Sequence, residues 1–554
     1  MKRIFDLNSK RQKIFFLTLC LFTIAVLYGS SLAGDFVLDD RGINARQALL
    51  ENPLEWPQVL AMPYWGVEAG AYRPITLFSY ALNFFLFGAG AWSFHLVNLI
   101  LYAGIGYLLF LFLRKIFRLI PPTRRRFKFG RWKLTDIVAG LGAWLFLILP
   151  IHSEVVANIT GRAELLALFF SLLALLEILK KNSNKWLSLA WLLLALGSKE
   201  TALAVLPIVL LVLVAVAGRS GWRRRGDEVA PPRPILKTIF SKKILENFWF
   251  PACLSVFIYF SIRWLVLGIY FFSNTASFVE NPLKFVSVAE RVLTSLKIFG
   301  LYVGKTILPF NLCSDYSYNQ IAIVNNFFDW GALSGLVILG GTVFSIFYFF
   351  RRRFGASLAC AVLFFPYLII SNLIFPIGTI MGERLFFFSS AGIAILMAVG
   401  VAGFWEYLSK KKIWRALAGG VALLLVLFYL GASFVRGLDW LSEERLFLSA
   451  GECAPRSVLS QSNLATVYFY RGDYKKVEEI ILDSYTIYDK YTVANNNLGL
   501  AYWKMGEWDK AKEQYFKALR TYPPYAGIYE NLVLFYTSQG DEEAAEKWEK
   551  IWRR

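Results

Sequence analysis

"IFFLTLCLFTIAVLYGSSLAGDFVLDD", residues 14–40, is the stretch whose reading decides the fold. From Ile14 to Ala33 it carries no charge, and the residues that follow include Asp35, Asp39 and Asp40. About 20 apolar residues suffice to cross a bilayer as a helix. No convincing small-x-small cleavage site follows, so the run reads as a signal-anchor and first span rather than a removed leader. Two adjacent carboxylates just past the end of a membrane helix then need a purpose.

Apolar runs of this kind recur along the 554 residues, 57% of which are hydrophobic. A soluble chain has no use for so many. The sequence predicts an all-α fold: a polytopic membrane helical bundle of about 11 transmembrane helices. The spans are expected near 14–33, 93–113, 135–151, 163–179, 186–198, 201–217, 247–267, 331–350, 356–375, 386–408 and 413–434. The segment 288–309, "VAERVLTSLKIFGLYVGKTILP", carries Glu290, Arg291, Lys297 and Lys305. It is expected to lie at the outer interface or re-enter rather than cross.

The net charge of +20 is unevenly placed. From Gly437 onward 15 Lys/Arg face 18 Asp/Glu, so the preceding residues carry +23. Their basic residues cluster at 1–13, 114–133, 180–185, 218–243, 351–353 and 410–415. These stretches fall on alternate loops, which is the positive-inside pattern and not a nucleic-acid groove. The N-terminus is therefore expected in the cytoplasm and the C-terminus outside. Cys20, Cys253, Cys313, Cys360 and Cys453 are scattered, with no disulfide framework expected, and His95 and His152 are the only histidines. A His- or Cys-based metal centre is not implied.

Under that topology the outer face collects ionisable residues at span ends. The first loop, 34–92, carries Asp39, Asp40 and "YRPIT" (72–76) with Arg73. "HSEVVANITGRAE" (152–164) brings His152, Glu154, Arg162 and Glu164, and "GSKET" (197–201) brings Lys199 and Glu200. "IRW" (262–264) adds Arg263, and "GTIMGERL" (378–385) adds Glu383 and Arg384. A single such residue is as well explained by snorkelling to the interface. Five loops together point to a substrate pathway. Transfer of a sugar from a lipid phosphate fits this set. Its leaving group is an anion, which cations stabilise, and its acceptor hydroxyl needs a carboxylate base. Asp39 is the expected base, with Asp40 orienting or replacing it. His152, Arg162, Lys199 and Arg384 are candidates for the donor phosphate, with Arg263 and Arg73 as weaker ones. Glu154, Glu164 and Glu200 are supporting residues expected to hold the cations, and Glu383 is a further supporting residue. "NIT" (158–160) fits a glycosylation sequon but reads as structural, and Tyr64, Trp65 and Trp92 read most simply as an interface belt, or equally as the lining of an acceptor groove in the first loop.

"LDDRGIN" (38–44), "YRPITLFSYALNFFLFG" (72–88), "PIHSEVVANITGRAELLALFFSLLAL" (150–175), "LALGSKETAL" (194–203) and "SNLIFPIGTIMGERLFFFSSAG" (371–392) together resemble a known group. They are similar, in order, to the transmembrane and tetratricopeptide repeat-containing O-mannosyltransferases and their bacterial relatives, of the GT-C superfamily. The resemblance implies a membrane glycosyltransferase that moves a mannose-like hexose from a polyprenyl-phosphate donor to a hydroxyl acceptor on protein or glycan. It implies inversion, no cofactor, and catalysis on the non-cytoplasmic side. It places the acidic motif at Asp39 and Asp40. The animal members carry long repeat arrays and this chain a short one, which favours a bacterial cytoplasmic membrane, or the endoplasmic reticulum membrane for a eukaryote.

The C-terminal part is legible on its own. "NLATVYFYRGDY" (463–474), "NLGLAYWKMGEW" (497–508) and "NLVLFYTSQGDE" (531–542) recur every 34 residues, the tetratricopeptide period. Asn463, Asn497 and Asn531 align, as do Tyr468, Tyr502 and Tyr536, and Gly472, Gly506 and Gly540. The middle repeat adds Gly499, Ala511, Tyr515, Ala518 and Pro523. Residues 1–436 are therefore expected to form the membrane domain and 437–554 a short external α-solenoid able to bind a peptide or protein partner. Two other readings compete. A transporter or lipid flippase would place its ionisable residues near the midplane and show inverted repeats. A non-catalytic scaffold displaying the repeats would not need charged outer loops.

Overall fold

A computed structural model of the chain describes residues 2–121, 128–129, 132–220, 239–408, 412–521 and 527–553. Parts of the basic stretches 114–133, 218–243 and 410–415, and Pro523, lie outside the described residues. The fold is all-α. Lys128–Phe129 and Trp132–Lys133 form one two-residue antiparallel pairing in a connection.

Among the described residues, eight helices are long and apolar enough to cross a membrane, and the chain is an integral multi-pass membrane protein. They run Lys10–Ala33, Ala91–Leu119, Ile159–Ile178, Glu200–Ala217, Leu245–Tyr270, Trp330–Phe350, Glu383–Tyr407 and Ile413–Leu441. A ninth candidate, Leu134–Leu147 with Pro150–Ala157, bends by 53° at its break. Pro150 and the short 3₁₀ turn that follows it supply that break, because proline cannot continue the backbone ladder. Two predicted spans come out short. Lys185–Ser198 has 14 residues and Phe354–Ile370 has 17. At 1.5 Å per residue the first reaches only about 21 Å, against the roughly 30 Å hydrocarbon core.

Packing separates inner from peripheral helices. Ala91–Leu119, Ile159–Ile178 and Glu383–Tyr407 are mostly enclosed, around Phe110, Phe146, Leu147 and Phe387. Trp330–Phe350 and Ile413–Leu441 turn most of their apolar side chains outward, among them Phe344, Phe347, Leu423, Leu424 and Leu427. Such exposure is costly in water and costless against lipid chains. The segment 288–309 forms the helix Val288–Ile307, started by a capping box between Ser287 and Glu290. Its apolar side packs Phe299 on Tyr367 (4.4 Å between centroids) and stacks Tyr302 on Phe386 (4.6 Å).

The first loop folds into short helices, Asp40–Asn44, Gln47–Leu50, Trp56–Ala61 and Pro74–Phe87. Ile43, Leu50, Val59, Tyr64, Leu77 and Phe84 give it a small core of its own. Beyond the last long helix, Glu443–Cys453 precedes three helix pairs: 458–470 with 474–485, 492–504 with 508–519, and 527–538 with 542–552. Each pair turns on a left-handed glycine, Gly472, Gly506 or Gly540, at φ 78°, 78° and 75°, a conformation other residues adopt only at a cost. The aligned asparagines bridge neighbours. Asn497 Nδ2 donates to the Ser462 carbonyl (3.2 Å), and Asn531 Nδ2 to Asn496 Oδ1 (2.9 Å).

The cysteine expectation is corrected. Cys313 and Cys453, 140 positions apart in the sequence, form a disulfide with Cα atoms 5.7 Å apart. Their spacing gave no sign of it, because the fold and not the sequence brings the loop at 313 onto the end of helix Glu443–Cys453.

Candidate active site

The two aspartates that follow the first span have opposite fates. Leu38 sits at φ 49°, a left-handed conformation unusual for leucine that costs on the order of 1–3 kcal/mol. Val37 and Leu38 are held there by packing against Trp440, Leu446 and Ala157. The turn sends Asp39 outward, 45% of its side chain exposed, and Asp40 inward to full burial.

Asp40 is fully buried and does not face the space that Asp39 faces. Its Oδ2 accepts the Ile159 N–H (3.1 Å) and its Oδ1 the Thr160 N–H (2.8 Å). It ties the first loop to the "NITG" turn. Burial pushes its carboxyl up to about 7, against the pull of those two amides. Asn158 belongs to the same turn: its Oδ1 accepts from the Thr160 N–H and hydroxyl, so the sequon is structural here. Gly161 completes it, since a Cβ there would meet the Val155 carbonyl at 2.2 Å.

Asp39 faces Arg384. Its Oδ2 accepts from Arg384 Nη1 at 3.0 Å. Glu154 holds Arg384 twice, accepting its backbone N–H (2.9 Å) and lying 3.5 Å from Nε. The buried Glu164 pairs with Lys199 Nζ. Glu200 stands between two arginines, 2.6 Å from Arg263 Nη1 and 3.5 Å from Arg73 Nε. These pairs form one cluster. Arg73 and Arg384 both act electrostatically on Lys199, and Glu164 acts on all three cations.

Three phosphate candidates are placed otherwise than expected. Arg162 is fully buried with its guanidinium committed: to Asn98 Oδ1 (2.9 Å), the Ser79 carbonyl (3.2 Å), Asn83 Oδ1 (3.0 Å) and the Phe94 carbonyl (2.9 Å). It also lies over the Tyr80 ring at 4.8 Å. Four of its five N–H donors are thus spent inside the protein, on groups that enclose it fully. His152 is enclosed by Tyr102, Phe146 and Phe387, with Nδ1 on the Tyr102 hydroxyl (2.8 Å) and Nε2 on Ser390 Oγ (2.7 Å). Arg263 spends both terminal nitrogens, on Glu200 and Tyr259 and on the Gly70 and Phe271 carbonyls.

Arg73, the weaker candidate by sequence, is the less committed one. Its Nε faces Glu200, and its terminal nitrogens make no hydrogen bond to a described residue. It lies 5.0 Å over the Tyr64 ring. Tyr64 is buried within electrostatic reach of Asp39, Arg73 and Arg384, so it belongs to the site and not to an interface belt. Period and loop position could not show this. Glu383 is buried too, its Oε1 accepting the Cys313 N–H and the Tyr316 hydroxyl, both at 2.6 Å. Beside Arg263 an apolar groove of about 480 Å³ is lined by Val256, Phe257, Phe260, Trp264, Leu265 and Phe271.

Comparison with known proteins finds chains of similar sequence. A protein O-mannosyl-transferase of Caenorhabditis elegans is 27% identical over 470 residues, covering 83% of this chain and 61% of its own length. Mouse TMTC4 is 28% identical over 482 residues, covering 80% and 62%, and mouse TMTC3 is 27% identical over 482, covering 80% and 47%. Its relatives are protein O-mannosyl-transferases. The chain spans about three fifths of the length of the first of these curated relatives. No family model matches it. Among solved structures, ArnT from Cupriavidus metallidurans bound to undecaprenyl phosphate covers 94% of this chain and 80% of its own, at 14% identity and a TM-score of 0.34. That score is too low to establish a shared fold.

Proposed function

We propose that the chain is a membrane glycosyltransferase that moves a hexose, mannose by the names of its relatives, from a polyprenyl-phosphate donor to a hydroxyl of a protein or glycan. The observation that carries this is the convergence of Arg73, Lys199 and Arg384 around Glu164, with the exposed Asp39 on Arg384. These cations stand within reach of one another, so one phosphate can meet them together while Glu154, Glu164 and Glu200 hold them in place. A leaving phosphate gains charge as the glycosidic bond breaks, so the same cations favour the transition state over the ground state.

In this reading Asp39 takes the proton of the acceptor hydroxyl while its oxygen attacks the anomeric carbon. The C–O bond to phosphate breaks on the opposite face, and one displacement inverts the centre. Arg73, Lys199 and Arg384 hold the phosphate. Glu154, Glu164 and Glu200 hold those cations, and Arg162, His152 and Arg263 build the scaffold beneath. The apolar groove beside Arg263 suits the prenyl chain. Residues 1–436 form the transferase domain and 437–554 the tetratricopeptide domain, which offers a protein or peptide acceptor a surface. The active face and the repeats are on the outer side of the membrane, the bacterial cytoplasmic membrane in this reading. The Cys313–Cys453 disulfide supports that side, because such bonds persist in oxidising compartments.

The test incubates purified protein with a panel of polyprenyl-phosphate hexoses and serine- or threonine-containing peptides. Consumption of one donor, with an inverted linkage in the product, is expected. Absence of transfer from every donor by protein that binds polyprenyl phosphate would overturn the reading.

A further inference from the structure

The repeat domain is joined to the site by more than the chain. Asp315 Oδ2 accepts from the hydroxyls of Ser457 and Ser460 (2.5 and 2.8 Å), at the start of the first repeat helix. The Val458 N–H donates to the Tyr318 carbonyl (2.9 Å), and the Asn319 N–H to the Arg456 carbonyl (2.8 Å). The Cys313–Cys453 disulfide fixes the same segment covalently. The other side of that segment supplies both donors to Glu383: the Cys313 N–H and the Tyr316 hydroxyl. Glu383 opens the short turn Glu383–Phe386, and its neighbour Arg384 reaches Asp39. A buried carboxylate is held in place by donors, and losing them leaves it costly to keep buried.

We propose that Glu383 is a positioning residue: clamped by the disulfide-tethered 313–316 segment, it sets the turn that aims Arg384 at Asp39, so that seating of the repeat domain is a condition for turnover. Broken, the clamp misaligns Arg384 with Asp39, while Arg73 and Lys199 can still meet a phosphate. Small misplacements of this kind lower kcat steeply. The proposal rests on the transferase reading for its effect on turnover, and stands apart from it for the clamp itself.

The experiment compares Glu383→Gln, Glu383→Ala and the Cys313→Ser/Cys453→Ser double variant with the full chain in detergent. Hydrogen exchange reads the clamp without reference to activity. In Glu383→Ala, the amides of 313–316 and 383–386 should exchange at least tenfold faster, with the disulfide intact. In the transfer assay, Glu383→Ala and the double serine variant should each lose tenfold or more in kcat, with a smaller rise in donor KM because Arg73 and Lys199 still meet the phosphate. Their combination should lose little more, since both break one clamp. Glu383→Gln keeps a carbonyl acceptor for both donors and should stay within threefold of the parent. Unchanged exchange in Glu383→Ala overturns the clamp. Faster exchange with parental kcat, a rise in donor KM alone, additive losses, or a Gln variant as impaired as Ala overturns the positioning role. If the parent transfers nothing while exchange responds as stated, the transferase reading fails and the clamp stands.

Discussion

Asp39 and Arg384, 345 residues apart in the chain, meet at 3.0 Å, and Arg384 is itself held by Glu154. The carboxylate is thus oriented yet open to an incoming hydroxyl. A base acts in the transition state, so its removal should lower turnover more than donor binding. Asp39→Asn is expected to lose at least 100-fold in kcat with donor KM within threefold and unchanged expression. Kinetics over a range of donor concentration check this, and a parental kcat would remove Asp39 from the mechanism.

Asp40→Asn should fail differently. An amide keeps one acceptor but turns its NH₂ toward a backbone donor, so the Ile159–Thr160 anchor is half lost. The expected cost is about 1–3 kcal/mol of stability, read as a lower apparent unfolding temperature, with a smaller effect on kcat than Asp39→Asn.

The same residue makes stability depend on pH. Its folded value, about 7, lies above the ordinary range because burial disfavours the charged form. The folded state therefore holds a proton that the unfolded state has released between about pH 4 and 7. Stability falls as pH rises through that window and levels off above it. The parent is expected to unfold at a lower temperature at pH 8 than at pH 5.5, and Asp40→Asn should show a flatter dependence. A rise in stability over the same range in the parent alone would contradict the buried protonation.

How far the sequence reached depends on what each feature rests on. Every predicted span coincides with an apolar helix, because a bilayer demands continuous apolar length and composition shows it. The helix pairs follow from a 34-residue period that each turn glycine repeats. The outer loops were legible as a polar set, but not the division of labour within it. Arg162 and Arg73 are both single arginines in conspicuous motifs. Only the fold shows that Asn98, Asn83 and two carbonyls absorb the first while the second keeps its terminal nitrogens. Asp39 and Asp40 likewise differ through the left-handed turn at Leu38, which no pattern of residue types encodes.

Arg162→Lys is therefore a stability experiment. Lysine keeps the charge but cannot span Asn98, Asn83, Ser79 and Phe94 at once, so buried acceptors are left bare. A loss of several kcal/mol is expected, seen as poor yield and early unfolding, with near-parental donor KM in whatever folds. A large rise in donor KM at normal stability would return Arg162 to the phosphate set.

Arg73 and Lys199 carry the opposite expectation. Arg73 is held from one side only, by Glu200, and the Tyr64 ring supports its guanidinium plane. Lys199 has one partner, Glu164, for three N–H donors. A phosphate would meet these groups already in the ground state, where a charge-assisted hydrogen bond is worth about 1.5–3 kcal/mol. Arg73→Gln and Lys199→Gln should each raise donor KM about 10- to 100-fold, and the pair should show coupling because one anion answers both. For Arg73→Gln, stability should move less than for Arg162→Lys, since Glu200 keeps Arg263. Lys199→Gln does remove the partner of buried Glu164, so the Glu164→Gln/Lys199→Gln double variant is the control that separates lost binding from an unpaired carboxylate. If that double variant recovers the parental donor KM, Lys199 serves Glu164 and not the phosphate, and Arg73 with Arg384 is left to hold the donor.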